Sequence, residues 1–302
     1  MIEFKNVSFS YQKDEQIIDN LSFHVPENSI YGFLGANGSG KTTAIRLLLN
    51  LYKPSNGEVL IKNKKIKSSP IEFYKNVGTL IESPTFYGHL SGKQNLAIWA
   101  NFYEVGNKRI DEVLDLVGLL NVKDKKAKKY SLGMKQRLGI ATSILHNPEI
   151  LVLDEPLNGL DPKGIAEIRN LFFKFQKEDS KTLFISSHLL NEIENTSSNL
   201  CIIDKGKKLF SGKIEELKSQ LSEGYSYKLK CNNTDLAKTI LHKEFNLSDI
   251  TIEDSNNLFV DVNTDEIIPK CITALVMNDV QLFEVQKTEK NLEDLYLTLT
   301  KQ

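Results

Sequence analysis

The sequence predicts an α/β protein with a parallel-sheet core, a helical insert and a small α+β domain at its C-terminal end. Three observations support this prediction. Apolar runs and helical patterns alternate over residues 150–210, as they do where crossover helices join parallel strands. A glycine-rich loop, residues 35–42, stands between an apolar run and a helical pattern. After about Leu221, short strand and helix patterns alternate without such loops.

The N-terminal part, residues 2–34, is predicted to be rich in β-strands. Apolar and polar residues alternate there, and turn residues separate the stretches, which is typical of strands and hairpins. The apolar run 30–35 (IYGFLG) predicts a strand before the glycine-rich loop. Residues 42–52 (TTAIRLLLNLY) have helical spacing and precede Lys53 and Pro54. Residues 57–66 (GEVLIKNKKI) predict another hairpin.

The middle of the chain, about residues 85–148, predicts a helical subdomain, because three helical patterns follow one another there. A strand at ILVLDEP, a helix over 162–178, a strand at TLFISSH and a helix over 189–195 continue the alternating core. We therefore place a first domain at residues 1–221. The second, α+β domain of roughly 80 residues occupies 222–302.

Composition excludes several classes of protein. The 302 residues carry 38 Lys and Arg against 39 Asp and Glu, a net charge of -1, so no overall positive field attracts nucleic acid. The three cysteines lie far apart without paired metal-ligand spacing, and the first residues show no apolar signal core. No apolar run approaches the roughly 20 residues of a membrane helix. The expected location is cytosolic, and any membrane crossing is left to another chain.

The loop GANGSGKT fits the pattern G-x-x-x-x-G-K-[ST] between a predicted strand and a predicted helix, the context that a phosphate-binding loop requires. Backbone N–H groups and the helix N-terminus favour phosphate oxygens, the lysine reaches the β and γ phosphates, and the threonine hydroxyl faces Mg²⁺. A plain glycine turn is the alternative. The loop therefore predicts a nucleoside triphosphate and Mg²⁺ as cofactors. The predicted binding residues here are Gly35, Ala36, Asn37, Gly38, Ser39, Gly40, Lys41, Thr42 and Thr43.

Two adjacent carboxylates, Asp154 and Glu155, end the apolar run ILVLDEP. An acidic turn after a strand would explain them structurally. Beside a phosphate loop, Asp154 is instead a predicted magnesium ligand together with Thr42, and Glu155 a predicted general base for the attacking water.

Three further motifs follow in order: YSLGMKQRLGIA at 130–141, NGLDP at 158–162 and SSH at 186–188. With the phosphate loop and the acidic pair, they resemble the ATP-binding-cassette (ABC) ATPases over about residues 1–215. The resemblance implies two cassettes paired head to tail, with Ser131 and Gly133 contacting the γ phosphate held by the other subunit. The usual L-S-G-G-Q is altered here, since Leu132 and Met134 occupy its third and fifth positions.

The same resemblance implies three more site residues. His188 matches the histidine that contacts the γ phosphate and the hydrolytic water. Asp161 matches the loop that crosses the dimer, and Tyr11 matches the aromatic residue on which adenine stacks. A structural histidine and a tyrosine on a strand face are the corresponding alternatives.

Glu82, in VGTLIESP, stands where the family has a glutamine that meets magnesium and water and senses the membrane partner. The resemblance therefore implies a catalytic and metal-binding role for Glu82, against the alternative of a solvated loop acid. This substitution and the C-terminal appendage are similar to the bacitracin-exporter and lantibiotic-immunity branch of the family.

The resemblance implies an ATP-hydrolysing exporter subunit that confers resistance to antimicrobial peptides. Its expected partners are a separate ABC-2-type membrane permease and a second ATPase subunit, at the cytoplasmic face of a bacterial membrane. Export of another drug or amphipathic peptide, and a nucleotide-dependent regulator outside transport, are the alternatives.

Overall fold

The computed structural model describes residues 1–12, 15–65, 70–82, 84–219, 225–288 and 296. The chain divides into two compact units, Met1–Ile214 and Glu215–Gln302. The domain boundary near Leu221 stays a prediction, because residues 220–224 lie outside the described ranges. The strands of the first unit are β1 (Ile2–Ser10), β2 (Gln16–Val25), β3 (Ile30–Leu34), β4 (Asn56–Ile61), β5 (Val77–Leu80), β6 (Ile150–Asp154), β7 (Thr182–Ser187), β8 (Asn199–Asp204) and β9 (Lys207–Lys213).

The helices of the first unit that the structure describes all follow β3 in the chain. They are α1 (Lys41–Leu48), α2 (Pro70–Lys75), α3 (Gly92–Phe102), α4 (Asn107–Leu116), α5 (Leu132–Ile144), α6 (Pro162–Lys177), α7 (Leu190–Thr196) and α8 (Ile214–Ser219), the last of which crosses the boundary between the units. Short 3₁₀ turns lie at Leu120–Val122 and Ala127–Lys129. The three helices predicted between residues 85 and 148 are confirmed as α3, α4 and α5. The helix predicted over 42–52 ends earlier, and Asn50, two residues beyond α1, has a left-handed φ of 56°.

An antiparallel sheet in the order β2-β1-β4 forms the N-terminal part. Buried residues alternate along β1 and β2, as expected for strands with one face on a core. The turn of the hairpin predicted over 57–66 is present: Ile61 and Lys64 exchange two backbone hydrogen bonds across Lys62 and Asn63, and residue 66 lies outside the described residues. β4 also pairs with β1, with Ile61 opposite Ile2. The pairing of β4 with β1 joins segments that are distant in sequence, and a local sequence pattern does not reveal such a pairing.

The central sheet has six strands in the order β5-β6-β7-β3-β8-β9. The first five are parallel and β9 runs antiparallel to β8. Leu34 pairs with Ser187 and Asp154 with Ser186, so the carboxyl ends of β3, β6 and β7 meet at one edge. This is the edge at which open α/β sheets bind ligands.

Aromatic side chains fill the core between the two sheets. Phe23 of β2 lies 5.4 Å from Phe33 of β3 and 6.2 Å from Phe184 of β7, measured between ring centroids. On the outer edge, β5 lies very close to α5, because a Cβ on Gly78 would lie 1.9 Å from the carbonyl oxygen of Ser143. Tight packing therefore fixes the strands that carry the candidate site.

The second unit is α+β, as predicted. Its antiparallel sheet has the order β11-β12-β10-β13, and its apolar core includes Leu229, Leu241 and Leu258. Most of the predicted C-terminal stretch NLEDLYLTLT lies outside the described residues. The elements are β10 (Tyr225–Cys231), α9 (Thr234–Phe245), β11 (Ile250–Ile252), β12 (Asn257–Val262), a 3₁₀ turn (Asp265–Ile267), α10 (Ile268–Met277) and β13 (Leu282–Thr288).

Candidate functional site

The phosphate loop joins β3 to α1 and needs glycine at defined positions. Gly38 and Gly40 have φ values of 82° and 103°, in the left-handed region that side chains disfavour. A Cβ on Gly35 would lie 2.4 Å from Ser39 Oγ and 2.7 Å from the carbonyl oxygen of Ile203. Gly40 is the N-cap of α1 and supplies no side-chain acceptor. The first N–H groups of α1 are therefore left available to an anion.

Lys41 is enclosed by the loop that carries it. Its side chain is only 7% exposed, and Nζ donates hydrogen bonds to the carbonyl oxygens of Gly35 (2.7 Å) and Ala36 (3.2 Å). Nζ also lies 3.4 Å from Oε1 of Glu155. A buried charge needs such partners. The cation is thus held between the loop carbonyls and the acid that follows β6.

Asp154, at the end of β6, is buried and accepts two hydrogen bonds. The Thr42 hydroxyl donates to Oδ2 at 2.9 Å, and the Ser186 hydroxyl donates to Oδ1. Thr42 lies in the first turn of α1, and Ser186 lies opposite Asp154 in the ladder between β6 and β7. Two neighbouring elements therefore orient this carboxylate next to the phosphate loop.

Glu155 follows Asp154 with a left-handed φ of 48°, which turns its side chain out of the alternation of the strand. Its backbone N–H donates to the hydroxyl of Ser186 at 3.0 Å, and Gln136 Nε2 donates to its carbonyl oxygen at 3.0 Å. Oε2 lies 2.9 Å from Nδ1 of His188. Because an ionised carboxylate only accepts hydrogen bonds, Nδ1 is the donor in that pair. Glu155 is therefore clamped through its backbone and lies between a lysine and a histidine.

A second acid supports the turn that carries His188. The Ser187 hydroxyl donates to Oε2 of Glu192 at 2.8 Å and accepts from the N–H of Leu189 at 3.0 Å. Burial raises the pKa of Glu192, and the nearby charge of Glu155 adds to that rise. Glu192 thus anchors the residues on both sides of His188.

A cleft of about 320 Å³ lies beside the phosphate loop and the two acids that follow it in the site, Asp154 and Glu155. It is lined by Tyr11, Ile17, Asn37, Gly38, Gly40, Lys41, Thr42, Thr43, Asp154 and Glu155. Tyr11 is 46% exposed, and its hydroxyl lies 3.2 Å from Thr43 Oγ1. Phe9 and Tyr52 meet the Tyr11 ring edge to face. Ser39 Oγ is buried and has no hydrogen-bond partner among the described residues.

Glu82 lies just beyond β5, the neighbour of β6, and has a left-handed φ of 57°. Its side chain is 58% exposed and its carboxylate pairs with the guanidinium of Arg46 on α1. Arg46 is one helical turn after Thr42. The structure therefore gives Glu82 a partner on the helix of the phosphate loop, and its catalytic and metal-binding roles stay predictions.

Ser131, Gly133 and Asp161 come together, although not in the cleft described above. Ser131 caps α5 by accepting from the N–H of Met134 at 3.2 Å, and Asp161 caps α6 by accepting from the N–H of Gly164 at 3.0 Å. A Cβ on Gly133 would lie 3.0 Å from the carbonyl oxygen of Gly159 in the NGLDP loop. Leu132 is 64% exposed and packs against Gly159. Two helix N-termini therefore lie side by side.

Comparison with known proteins identifies the family. The profile described as ABC transporter matches residues 18–158. A bacitracin transport ATP-binding protein, BcrA of Bacillus licheniformis, is 38% identical over 286 residues, which cover 94% of this chain and 92% of that protein. This chain belongs to the ABC transporter ATP-binding proteins. A lantibiotic transport ATP-binding protein of the same family, SrtF of Streptococcus pyogenes, is 36% identical over 68% of this chain and 88% of its own length.

A solved structure agrees with the ABC assignment. A dimeric ATP-binding cassette in a post-hydrolysis state, bound to ADP and Pi, is similar with a TM-score of 0.65 and 26% identity over 71% of this chain and 99% of that one. An ABC ATPase binds and hydrolyses ATP, and the family implies dimerisation and a membrane permease as partner. Every helix in the described ranges of the chain is too short or too polar to cross a bilayer.

Several residues that contact the candidate site of this ABC ATPase were not found from its sequence. Ser186 orients both acids, and its place in SSH next to His188 was the available signal. Gln136 holds the Glu155 backbone from within YSLGMKQRLGIA. Glu192 and Arg46 belong to no recognised motif. A charged residue on a helix is most often solvated, so nothing in the sequence gave a reason to single them out.

Proposed function

We propose that this ABC ATPase powers an exporter of antimicrobial peptides of the bacitracin or lantibiotic type. It would act at the cytoplasmic face of a bacterial membrane with a separate ABC-2-type permease and a second ATPase subunit. The names of BcrA and SrtF support the cargo. One observation carries the hydrolytic part: a carboxylate, Glu155, faces both Lys41 and His188 at the mouth of the phosphate loop.

Binding of the triphosphate falls to the loop and to Lys41. The glycine positions leave backbone N–H groups free for phosphate oxygens, and the N-terminus of α1 adds its partial positive charge. In the structure, Lys41 Nζ donates hydrogen bonds to the carbonyl oxygens of Gly35 and Ala36. A phosphate oxygen is a stronger, charged acceptor and would draw Nζ away from them. The buried Ser39 hydroxyl also lacks a partner among the described residues, so the loop has unused donors.

Magnesium fits the oxygen donors beside the loop. Thr42 and Asp154 would hold it, with Glu82 as the further predicted ligand, since Mg²⁺ is commonly bound through one or two carboxylates together with substrate phosphates. The ion supplies positive charge where phosphate oxygens gain negative charge during transfer. Ser186 keeps Asp154 oriented through its hydrogen bond to Oδ1.

Glu155 is the proposed general base. Its carboxylate can take a proton from the attacking water, and His188 can share that water while it stays hydrogen bonded to Oε2. The backbone clamp from Ser186 and Gln136 keeps the carboxylate in place. Ser131, Gly133 and Asp161 would serve the nucleotide of the second subunit, which their position outside this cleft supports.

Replacement of Glu155 by Gln tests the proposal. The amide keeps the size of the side chain but cannot take the proton, so turnover should fall by about 10²- to 10⁴-fold while ATP still binds. ATP-bound dimers should accumulate, and cells carrying the variant with its permease should lose protection against bacitracin or a lantibiotic.

Glu149→Gln is the matched control. Glu149 precedes β6 as Glu155 follows it, and its exposed side chain pairs with Lys62. This change should leave hydrolysis and protection unaltered. Native turnover in Glu155→Gln would refute the assignment of the base. Normal hydrolysis by the wild type without protection against either peptide would refute the cargo alone.

A further inference from the structure

Helix α1 carries a cation that the chemistry above does not use. Arg46 follows Thr42 by one turn and Thr43 by three residues, so these side chains share one side of the helix. The Arg46 guanidinium pairs with the Glu82 carboxylate through Nη2. Its Nη1 lies 3.5 Å from the Tyr11 hydroxyl, and the group lies 5.9 Å from the centre of the Tyr52 ring. One side chain therefore joins segments that lie 35 residues before it and 36 residues after it.

Two of these three partners of Arg46, Tyr11 and Glu82, lie at or next to the nucleotide site. Tyr11 lines the cleft and meets Thr43, the residue after the magnesium candidate Thr42. Glu82 follows β5, whose neighbour β6 ends at Asp154. Without a cation beside it, the Glu82 carboxylate would add negative charge near the position of a triphosphate, which binds less well in such a field.

The pair acts on the charge beside the cleft more than on the stability of the fold. Arg46 and Glu82 side chains are 29% and 58% exposed, and ion pairs of that exposure contribute little to stability. Glu82 also has a left-handed backbone conformation, which a glutamate adopts only when its surroundings hold it there. Among the described residues, the Arg46 guanidinium is a partner of the Glu82 side chain that follows this backbone conformation.

We propose that Arg46 is a positioning residue that neutralises the Glu82 carboxylate and holds it, together with Tyr11, beside the nucleotide cleft. The inference rests on the proposed ATPase function, because it assigns Arg46 a role in nucleotide binding there. Arg46 is charged at every working pH, so the neutralisation is permanent. Arg46 does not touch Glu155 or His188 among the contacts of the described residues, and its effect is expected on binding rather than on turnover.

A double-mutant cycle on the full chain tests this. The dissociation constant for MgATP is measured by titration for the wild type, Arg46→Gln, Glu82→Gln and the double variant, with kcat and KM alongside. Arg46→Gln should weaken MgATP binding about two- to fivefold, the factor that a partly exposed ion pair is worth, with kcat nearly unchanged. In the Glu82→Gln background the same change should have little effect, because the charge to be neutralised is gone.

Two further variants make the test specific. Arg46→Lys keeps the charge and should restore most of the affinity. Lys62→Ala breaks another exposed ion pair, with Glu149, and should leave MgATP binding unchanged. Equal losses from Arg46→Gln in the wild-type and Glu82→Gln backgrounds, a fall in kcat at constant affinity, or failure of Arg46→Lys to rescue would each overturn the inference. Because the readout is a titration, it remains informative even if the wild type shows no hydrolysis, which would refute the proposed function separately.

Discussion

We predict that the first unit loses stability in acid through the protonation of His146. His146 lies between α5 and β6 and stacks on Tyr103 of the helical subdomain, with ring centroids 3.9 Å apart and planes 10° from parallel. Burial lowers the pKa of His146 to about 4, and the positive charges of Lys181 and Arg109 act in the same direction. The folded chain therefore keeps this imidazole neutral well below its ordinary pKa of 6.5.

The sign of the pH effect follows from linkage. The folded pKa lies below the unfolded one, so the unfolded chain binds a proton first as the pH falls through 6.5. The stability that His146 contributes is complete above that pH and is lost progressively down to about pH 4. The full shift of the His146 pKa would lower the free energy of unfolding by about 2 kcal/mol at pH 5. The partial exposure of the ring reduces this loss to roughly 1 kcal/mol.

Urea unfolding at pH 7.5 and pH 5 measures the effect. His146→Phe retains an aromatic ring for the stack on Tyr103 but cannot titrate. Between pH 7.5 and pH 5 its free energy of unfolding should therefore fall by roughly 1 kcal/mol less than that of the wild type. The other acidic and basic groups are common to both proteins and cancel in the difference. The exposed His89 provides the control, since His89→Gln should follow the wild type. Equal losses in the wild type and His146→Phe would refute the reasoning.

Two further predictions concern the nucleotide site and the second unit. Lys41→Ala should weaken ATP binding and lower hydrolysis together, because it removes the buried cation of the phosphate loop; unchanged affinity in a titration would show that ATP binds elsewhere. A chain that ends at Ser219 should fold and still bind ATP, because every residue that lines the cleft lies in the first unit; an insoluble product would show that the first unit needs the second.

The position of the candidate site at one edge of the central sheet could be predicted, because three local sequence patterns each lie at the end of a parallel strand. The glycine-rich loop follows β3, the acidic pair ends β6, and SSH ends β7. Parallel strands place their carboxyl ends at one edge, so these motifs had to meet once the strands were recognised. The pairing of Asp154 with Ser186 shows this convergence at the level of single residues.

The remaining features depend on partners that are distant in sequence. The local pattern predicts the turn that follows β4, whereas the pairing of β4 with β1 joins segments far apart in the chain. For Glu82 the sequence predicts contacts with magnesium and the permease, with a solvated loop acid as the alternative, whereas Arg46 on α1 pairs with its carboxylate. Neither the strand order nor the side-chain direction that creates these contacts is encoded in a short pattern.

Ser131 and Asp161 cap the two helices whose N-termini we propose to face the nucleotide of a second subunit. Each side chain caps its own helix by accepting one N–H, so the remaining N–H groups of the first turns of α5 and α6 have no acceptor within their helices. Gly133 and Gly159 allow the two helix starts to approach each other closely, because a side chain on either would meet the opposite segment. The result is a paired anion-attracting surface outside the chain's own cleft. In the dimer that the family implies, we propose that these N–H groups bind the negatively charged phosphates held by the loop of a second subunit, so that each subunit would complete the hydrolytic site of the other.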